Sequence, residues 1–385
     1  MTGPLPVVIY RDELLPPSET FIRDQAEALA GFVPYYVGSR LVGGLPLPPE
    51  RTITVSEGGT LGRLSEAAHK GLGLAPALRR RLERLRPVLV HAHFGPGGTM
   101  ALPLAQHLGV PLLVTFHGYD LTVCDDELQR ASFPERLYVH RRAELRTRGS
   151  RFLAVSRFLR DRLLAQGYPP DRVLVHYIGV DLDRFRSDPD VPRAPIVLFV
   201  GRLVEVKGCE YLIRAMALVQ EVHREAELVV IGDGPLRESL ESLARAELRG
   251  CRFLGAQPPE IVRAWMNRAR VLSVPSVTAA SGATEGFGLV FLEAQAMGLP
   301  VVSFASGGIP EAVEHGVTGF LGPERDWRRL AGGIGHLLSD ATVWERFSAA
   351  GPARMRARFE LRTCTAGLEA IYRSVLPGRR FGAVA

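Results

Sequence analysis

Short runs of β-branched and aromatic residues recur along the chain at intervals that helical stretches fill. Val7-Val8-Ile9-Tyr10 opens the series, and further strands are expected at 34–37, 88–91, 112–116, 152–155 and 173–177. Helix formers occupy the gaps, for example 99–108. The segment Leu14 to Ile22 reads as a loop entering a helix, with Ser18 or Thr20 as its N-cap. After a proline-rich stretch, 187–195, the pattern resumes with Ile196-Val197-Leu198-Phe199-Val200, a helix from Glu210, and a strand at 228–231. Phe253-Leu254-Gly255 and Val274-Pro275-Ser276 end two more strands, and 300–304 is another. Two helices, 341–358 and 361–376, close the series around Phe359-Glu360, and 379–385 is expected to fray. Strands alternating with helices mean parallel βαβ units, so the chain is α/β and its N-terminal half Rossmann-like. The expected division is 1–186, a linker at 187–195, a second domain at 196–360, and a final helix at 361–378.

Composition narrows the class without naming a reaction. At 385 residues the chain has room for two cores. Apolar residues are 46% and charged residues 23%, with no stretch of about 18 apolar residues to span a membrane. The N-terminus lacks a basic region followed by an apolar one, so no signal peptide is expected and the cytoplasm is the expected compartment. The four cysteines form no C-x-x-C, which speaks against a zinc site or a disulfide framework. The net charge of +6 is spread over both halves and predicts no nucleic-acid partner. Two stretches are locally basic, 70–86 and 130–162; they read as solvated helix faces, with peripheral contact to an anionic membrane as the alternative. Only two of the 47 basic residues are lysines, Lys70 and Lys207. Lysine is the compact point charge, so its retention at 207 hints at an anion there.

The densest chemistry lies at 285–311, EGFGLVFLEAQAMGLPVVSFASGGIPE. Glu285 and Glu293 stand eight residues apart, and Gly286-Phe287-Gly288 follows the first. Residues 289–297 are apolar helix formers, stopped by Gly298 and Pro300. A helix beginning near Gly288 points the free N–H groups of Leu289 and Val290 at an anion, and a diphosphate fits there. Glu285 and Glu293 would flank it, one on a hexose and the other on a ribose, since a carboxylate accepts several hydroxyl hydrogen bonds. Gly201-Arg202-Leu203-Val204-Glu205-Val206-Lys207-Gly208 is a second strand–loop–helix junction, whose Arg202 and Lys207 suit the same diphosphate. Thr278 to Thr284 is a small-residue loop expected to shape the pocket.

In the N-terminal half, ligands of a parallel sheet gather at the carboxyl ends of its strands. His91-Ala92-His93-Phe94-Gly95 and Thr115-Phe116-His117-Gly118-Tyr119-Asp120 lie at two such ends. His91 and His93 share a face with no third ligand nearby, so no metal is expected. No G-x-G-x-x-G follows the first strand, which counts strongly against a dinucleotide-binding dehydrogenase. Asp181-Leu182-Asp183 reads as turn chemistry.

The E-x7-E pair, the G-R-x-x-x-x-K-G loop, the turn Gly232-Asp233-Gly234-Pro235 and the two histidine motifs together resemble the retaining family 4 glycosyltransferases. The chain is especially similar to bacterial exopolysaccharide enzymes of the colanic-acid type. The resemblance implies the GT-B fold: two Rossmann-like domains facing each other across a cleft, with the C-terminal helix crossing back to the N-domain. It implies a nucleotide-diphospho-sugar donor, UDP- or GDP-linked, and a glycan, lipid-linked or small-molecule acceptor, with no cofactor and no metal. Carried over, the catalytic set is His117, Glu285, Arg202 and Lys207, with Glu285 orienting the sugar and Glu293 holding the ribose. Gly201, Gly232, Gly234, Leu254, Pro275, Gly286, Phe287, Gly288, Leu289 and Val290 complete the donor side. His93 lines the acceptor side, as do Ser18 and Thr20, which replace the Gly-Gly loop that many members carry. The same fold also serves phosphorylases, nucleotide-sugar epimerases and silent binding subunits, and these are the alternatives.

Overall fold

The computed structural model describes residues 3–56, 58–73 and 75–376. The expected frayed tail at 379–385 lies outside them. Two compact units result: residues 1–179 with 361–385, and residues 180–360.

The first unit is built on seven parallel strands. Their order across the sheet is Thr52–Thr54, Phe32–Gly38, Leu5–Tyr10, Val90–His93, Leu112–Phe116, Arg151–Ala154 and Val173–Val175. Counting along the chain this is 3-2-1-4-5-6-7, a doubly wound sheet whose switch point lies between Leu5–Tyr10 and Val90–His93. The strand expected at 88–91 is displaced by two residues. Pairing on both sides starts only at Val90, against Val8 and Leu112, so His93 sits in the strand and not beyond it. The neighbouring helix begins at Gly95, at the strand end, with Pro96 in its first turn where no N–H is needed. Neither Ser18 nor Thr20 caps the helix Thr20–Glu27: the 3-10 turn Pro17–Glu19 runs straight into it, and no side-chain bond caps that end.

The last helix, Leu361–Val375, belongs to this first unit. Leu368 and Tyr372 are buried among Val7, Ile9, Phe32 and Tyr36, and Glu369 Oε1 accepts the Ala30 and Gly31 N–H groups at 2.6 and 2.8 Å. Burying each large apolar side chain contributes about 1.5–3 kcal/mol.

The second unit has six parallel strands in the order Cys251–Phe253, Glu227–Ile231, Ile196–Val200, Val271–Leu272, Val301–Phe304 and Gly319–Gly322. This is 3-2-1-4-5-6, doubly wound again, with its switch point between Ile196–Val200 and Val271–Leu272. The expected strand end at 274–276 lies past the strand, because those residues turn to meet the loop after Val200; Val277 N–H bonds Val206 O at 2.9 Å. Residues 187–195, expected as a linker, are fastened within this unit. Asp188 N–H bonds Asn267 Oδ1 at 3.0 Å, and the Arg193 guanidinium donates to the carbonyls of Met266, Ala269 and Met297. Burial lowers the Arg193 pKa to about 10. Among the described residues no helix is long and apolar enough to cross a membrane.

Candidate active site

At the switch point of the second sheet, Ile196–Val200 delivers the chain into the loop 201–208. The Gly232–Pro235 turn packs directly beneath it. Gly232 has φ 143°, and a Cβ there would lie 1.8 Å from Gly201 O, so only glycine lets the two loops meet. Leu203 N–H bonds Asp233 O at 2.8 Å and Leu236 N–H bonds Leu203 O at 3.1 Å. The glycines of this turn support the basic loop from below.

Lys207 ends the 3-10 turn Glu205–Lys207, and its Nζ stands 2.5 Å from Glu285 Oε2. Ser276 Oγ adds a bond to the same oxygen at 3.4 Å. Sequence reasoning assigned these two side chains to different parts of a donor; the fold makes them partners of each other. Glu285 is fixed through its main chain, since Gly308 N–H bonds Glu285 O at 2.9 Å. Gly307, at φ 52°, lies so close that a Cβ would come within 2.2 Å of that oxygen. Beyond Glu285, Gly288 (φ 85°) opens the helix Leu289–Ala296, and no side chain caps this end. Its first N–H groups therefore remain available to an anion. Glu293 lies half-buried in the same helix, and Phe287 is buried against Phe359 at 5.6 Å. Arg202 is exposed on the same loop as Lys207, and among the described residues no ion pair engages it. Leu254 and Pro275 sit just past the neighbouring strand ends.

Three further side chains that the sequence did not single out hold the loop 278–284. Ala280 N–H bonds Glu205 Oε1 at 3.1 Å, Thr278 N–H bonds Glu324 Oε2 at 2.9 Å, and Arg325 donates to Thr278 O at 2.9 Å. No local signal marks them, because the partners come from loops 46 to 75 residues away.

In the first unit, His93 and His117 end adjacent strands and share a hydrogen bond, Nδ1 to Nε2, at 3.0 Å. His91, two residues before His93 and on the same face, lies tilted against it with ring centroids 4.5 Å apart. Both His91 ring nitrogens are already bonded, Nδ1 with Tyr372 Oη at 2.6 Å and Nε2 with Thr115 Oγ1 at 2.7 Å. The His117 ring makes tilted contacts with Phe21 and Phe94, with centroids at 4.9 and 4.6 Å. Burial lowers His91 to about 3 and pushes His93 and His117 well below the usual histidine range, with neighbouring positive charge adding to it. These imidazoles are neutral at physiological pH, suited to hydrogen bonding and not to giving up a proton. Arg11, which sequence reasoning missed, forks onto Glu19 at 2.9–3.2 Å and lies 4.6 Å over the Phe94 ring. Glu19 is thereby turned away from the helix end, Ser18 is exposed, and Thr20 is half-buried. Asp181 Oδ1 accepts the Asp183 and Arg184 N–H groups at 2.9 and 3.1 Å, as a turn residue does.

Lys70 is no solvated cation: its Nζ bridges Asp12 Oδ2 at 2.9 Å and Glu66 Oε1 at 2.7 Å. In the second basic stretch, Arg130, Arg142, Arg148 and Arg160 each have a carboxylate partner.

Residues 18–184 match the family model described as Glycosyltransferase Family 4, and residues 194–340 match that of Glycosyl transferases group 1. WcaL of Escherichia coli (strain K12), a protein named for colanic acid biosynthesis, is 35% identical over 247 residues. That match covers 62% of this chain and 59% of WcaL, so the chain spans less than two thirds of that curated relative. The GDP-mannose-dependent alpha-(1-6)-phosphatidylinositol monomannoside mannosyltransferase of Mycolicibacterium smegmatis is 31% identical over 329 residues, covering 79% of this chain and 81% of its own. Among solved structures, Anabaena HepE in complex with UDP-glucose superposes with a TM-score of 0.77 at 19% identity, over 96% of this chain and 100% of that one. The shared architecture is GT-B.

Proposed function

The chain belongs to glycosyltransferase family 4, and on that premise we propose that it moves a sugar from a nucleotide-diphospho-sugar to an acceptor hydroxyl, with retention and without a metal. The observation that carries this reading is the Lys207–Glu285 pair beside the uncapped helix at Gly288, at the switch point of the second sheet. Charge of both signs sits there next to free backbone donors, which is what a sugar joined to a diphosphate requires.

In this reading Lys207 and Arg202 neutralise the diphosphate together with the Leu289 and Val290 N–H groups. Lys207 exchanges its Glu285 partner for phosphate oxygens, and Glu285 turns to the sugar hydroxyls. Glu293 holds the ribose. His117, neutral and held by His93, contributes a hydrogen bond to the sugar. The bond from C1 to the diphosphate breaks as the acceptor oxygen bonds C1 on the same face, and the acceptor proton passes to the departing phosphate oxygen. The donor base is uracil or guanine: the mycobacterial relative is named for GDP-mannose, and HepE was solved with UDP-glucose. The acceptor is a glycan, a lipid-linked oligosaccharide or a small molecule, met in the cytoplasm or at the inner face of a membrane.

Calorimetric titration with UDP, GDP and dTDP, each without and then with Mg²⁺, tests the donor assignment. The expected result is metal-independent binding of one nucleotide, weakened in Lys207→Ala. Binding of none, or binding only with metal, would overturn it.

A further inference from the structure

Asp120 takes no part in the chemistry above, yet it is buried at the strand ends that carry His93 and His117. Its Oδ2 accepts Gly95 N–H at 2.9 Å and its Oδ1 accepts Gly118 N–H at 2.9 Å. Gly95 directly follows the His93-Phe94 strand end, and Gly118 directly follows His117. One carboxylate thus ties both strand ends together across the sheet.

A second observation points to the same place. Phe94 has φ 64°, a left-handed conformation that a bulky aromatic residue rarely adopts and that its surroundings must enforce. Phe94 N–H continues the strand ladder to Thr115 O at 2.8 Å, and beyond it the Phe94 ring lies tilted against His117 with centroids at 4.6 Å. Relaxing Phe94 would withdraw that ring from its contact with His117. Gly95 N–H, the first group after the kink, is the one that Asp120 holds.

We infer that Asp120 is a positioning residue, whose carboxylate fixes the Phe94–Gly95 and His117–Gly118 backbones so that the His117 ring is presented in one orientation. For its effect on turnover this rests on the function proposed above; the geometric claim does not. Burial raises Asp120 to about 6 against its backbone donors. The titratable side chains around it are the phenols of Tyr119, Tyr138 and Tyr168, which stay uncharged, while His117 faces it through its backbone. Protonating Asp120 removes an acceptor from one of the two N–H groups, so the brace loosens as pH falls through that range.

The test is ¹⁵N-edited NMR of the imidazoles in the full chain, which needs neither donor nor acceptor. In the wild type, the His117 ring signals are expected to shift in step with the Gly95 and Gly118 amides as Asp120 titrates. In Asp120→Asn, the His93–His117 hydrogen-bond signature is expected to be lost, and His117 to titrate nearer the ordinary histidine value. With an identified donor, kcat should fall by about 100-fold through misplacement while nucleotide Kd stays unchanged. His117 signals that stay still while the two glycine amides report Asp120's titration would overturn the inference, even if the variant does not fold. So would an Asp120→Asn chain with the wild-type histidine signature. Absence of nucleotide binding alongside the expected NMR result would fault the functional reading alone.

Discussion

Lys207 Nζ and Glu285 Oε2 lie 2.5 Å apart although 78 residues separate them in the chain. Both side chains are mostly buried, at 19% and 13% exposure, so neither charge is well hydrated without the other. Lys207→Ala should therefore destabilise the protein by about 3 kcal/mol, the scale of leaving one buried charge unpaired. Lys207→Ala combined with Glu285→Gln should recover part of that loss. Urea unfolding of the two single variants and the double variant measures the coupling, and simple additivity would show that the pair is not coupled.

The two glutamates should separate kinetically. Glu285→Gln is expected to lower kcat by about 100-fold, because a group placed on the reacting sugar acts in the transition state. Glu293→Gln should mainly raise KM for the donor and Kd for the nucleotide. Steady-state kinetics with calorimetry decides the matter, and equal effects on both constants in both variants would contradict the division.

Acid should destabilise the first unit from just below neutrality. Burial lowers His69 and His176 to about 4 and His91 to about 3, each from 6.5. A depressed histidine favours its neutral form in the fold. Its contribution is fully present above about 6.5 and is lost as pH falls toward the folded value, by about 1.4 kcal/mol per proton per pH unit. Asp120, raised to about 6, works in the opposite direction, but it is one group against five lowered histidines, His93 and His117 among them. Thermal melts between pH 7 and 4 should show Tm falling steadily, and less steeply in His91→Phe.

Tyr372→Phe removes one hydroxyl and leaves His91 Nδ1 without its 2.6 Å partner. A buried polar atom deprived of its bond costs about 1–3 kcal/mol. Denaturant unfolding should show that loss with an unchanged m-value. A change within about 0.5 kcal/mol, typical of a harmless substitution, would show that the bond is not stabilising.

The sequence made two things legible: the alternation of strands and helices, and the motif segments from 196 to 311. β-branched runs and glycine stops are local signals, and Gly288 opens its helix where the spacing put it. Pairings were not legible. Arg11 with Glu19, Lys70 with Asp12, and Lys207 with Glu285 depend on which strand ends lie side by side, and that is a property of the folded sheet. The same cause displaced the strand at 88–91, since pairing on both sides selects Val90–His93 from a longer apolar stretch. Residues 187–195 read as a linker from their prolines, and only the buried Arg193 shows how firmly they are held.

The return of Leu361–Val375 to the first unit has a consequence during synthesis. That unit's hydrophobic core includes Leu368 and Tyr372, which leave the ribosome only after all of residues 180–360. At about 5–20 residues per second, the nascent first unit waits roughly 10–40 s with the seat of its last helix open. The apolar seat formed by Val7, Ile9, Phe32 and Tyr36 is then a surface that chaperones can cover, and neighbouring chains on the same messenger can meet it there.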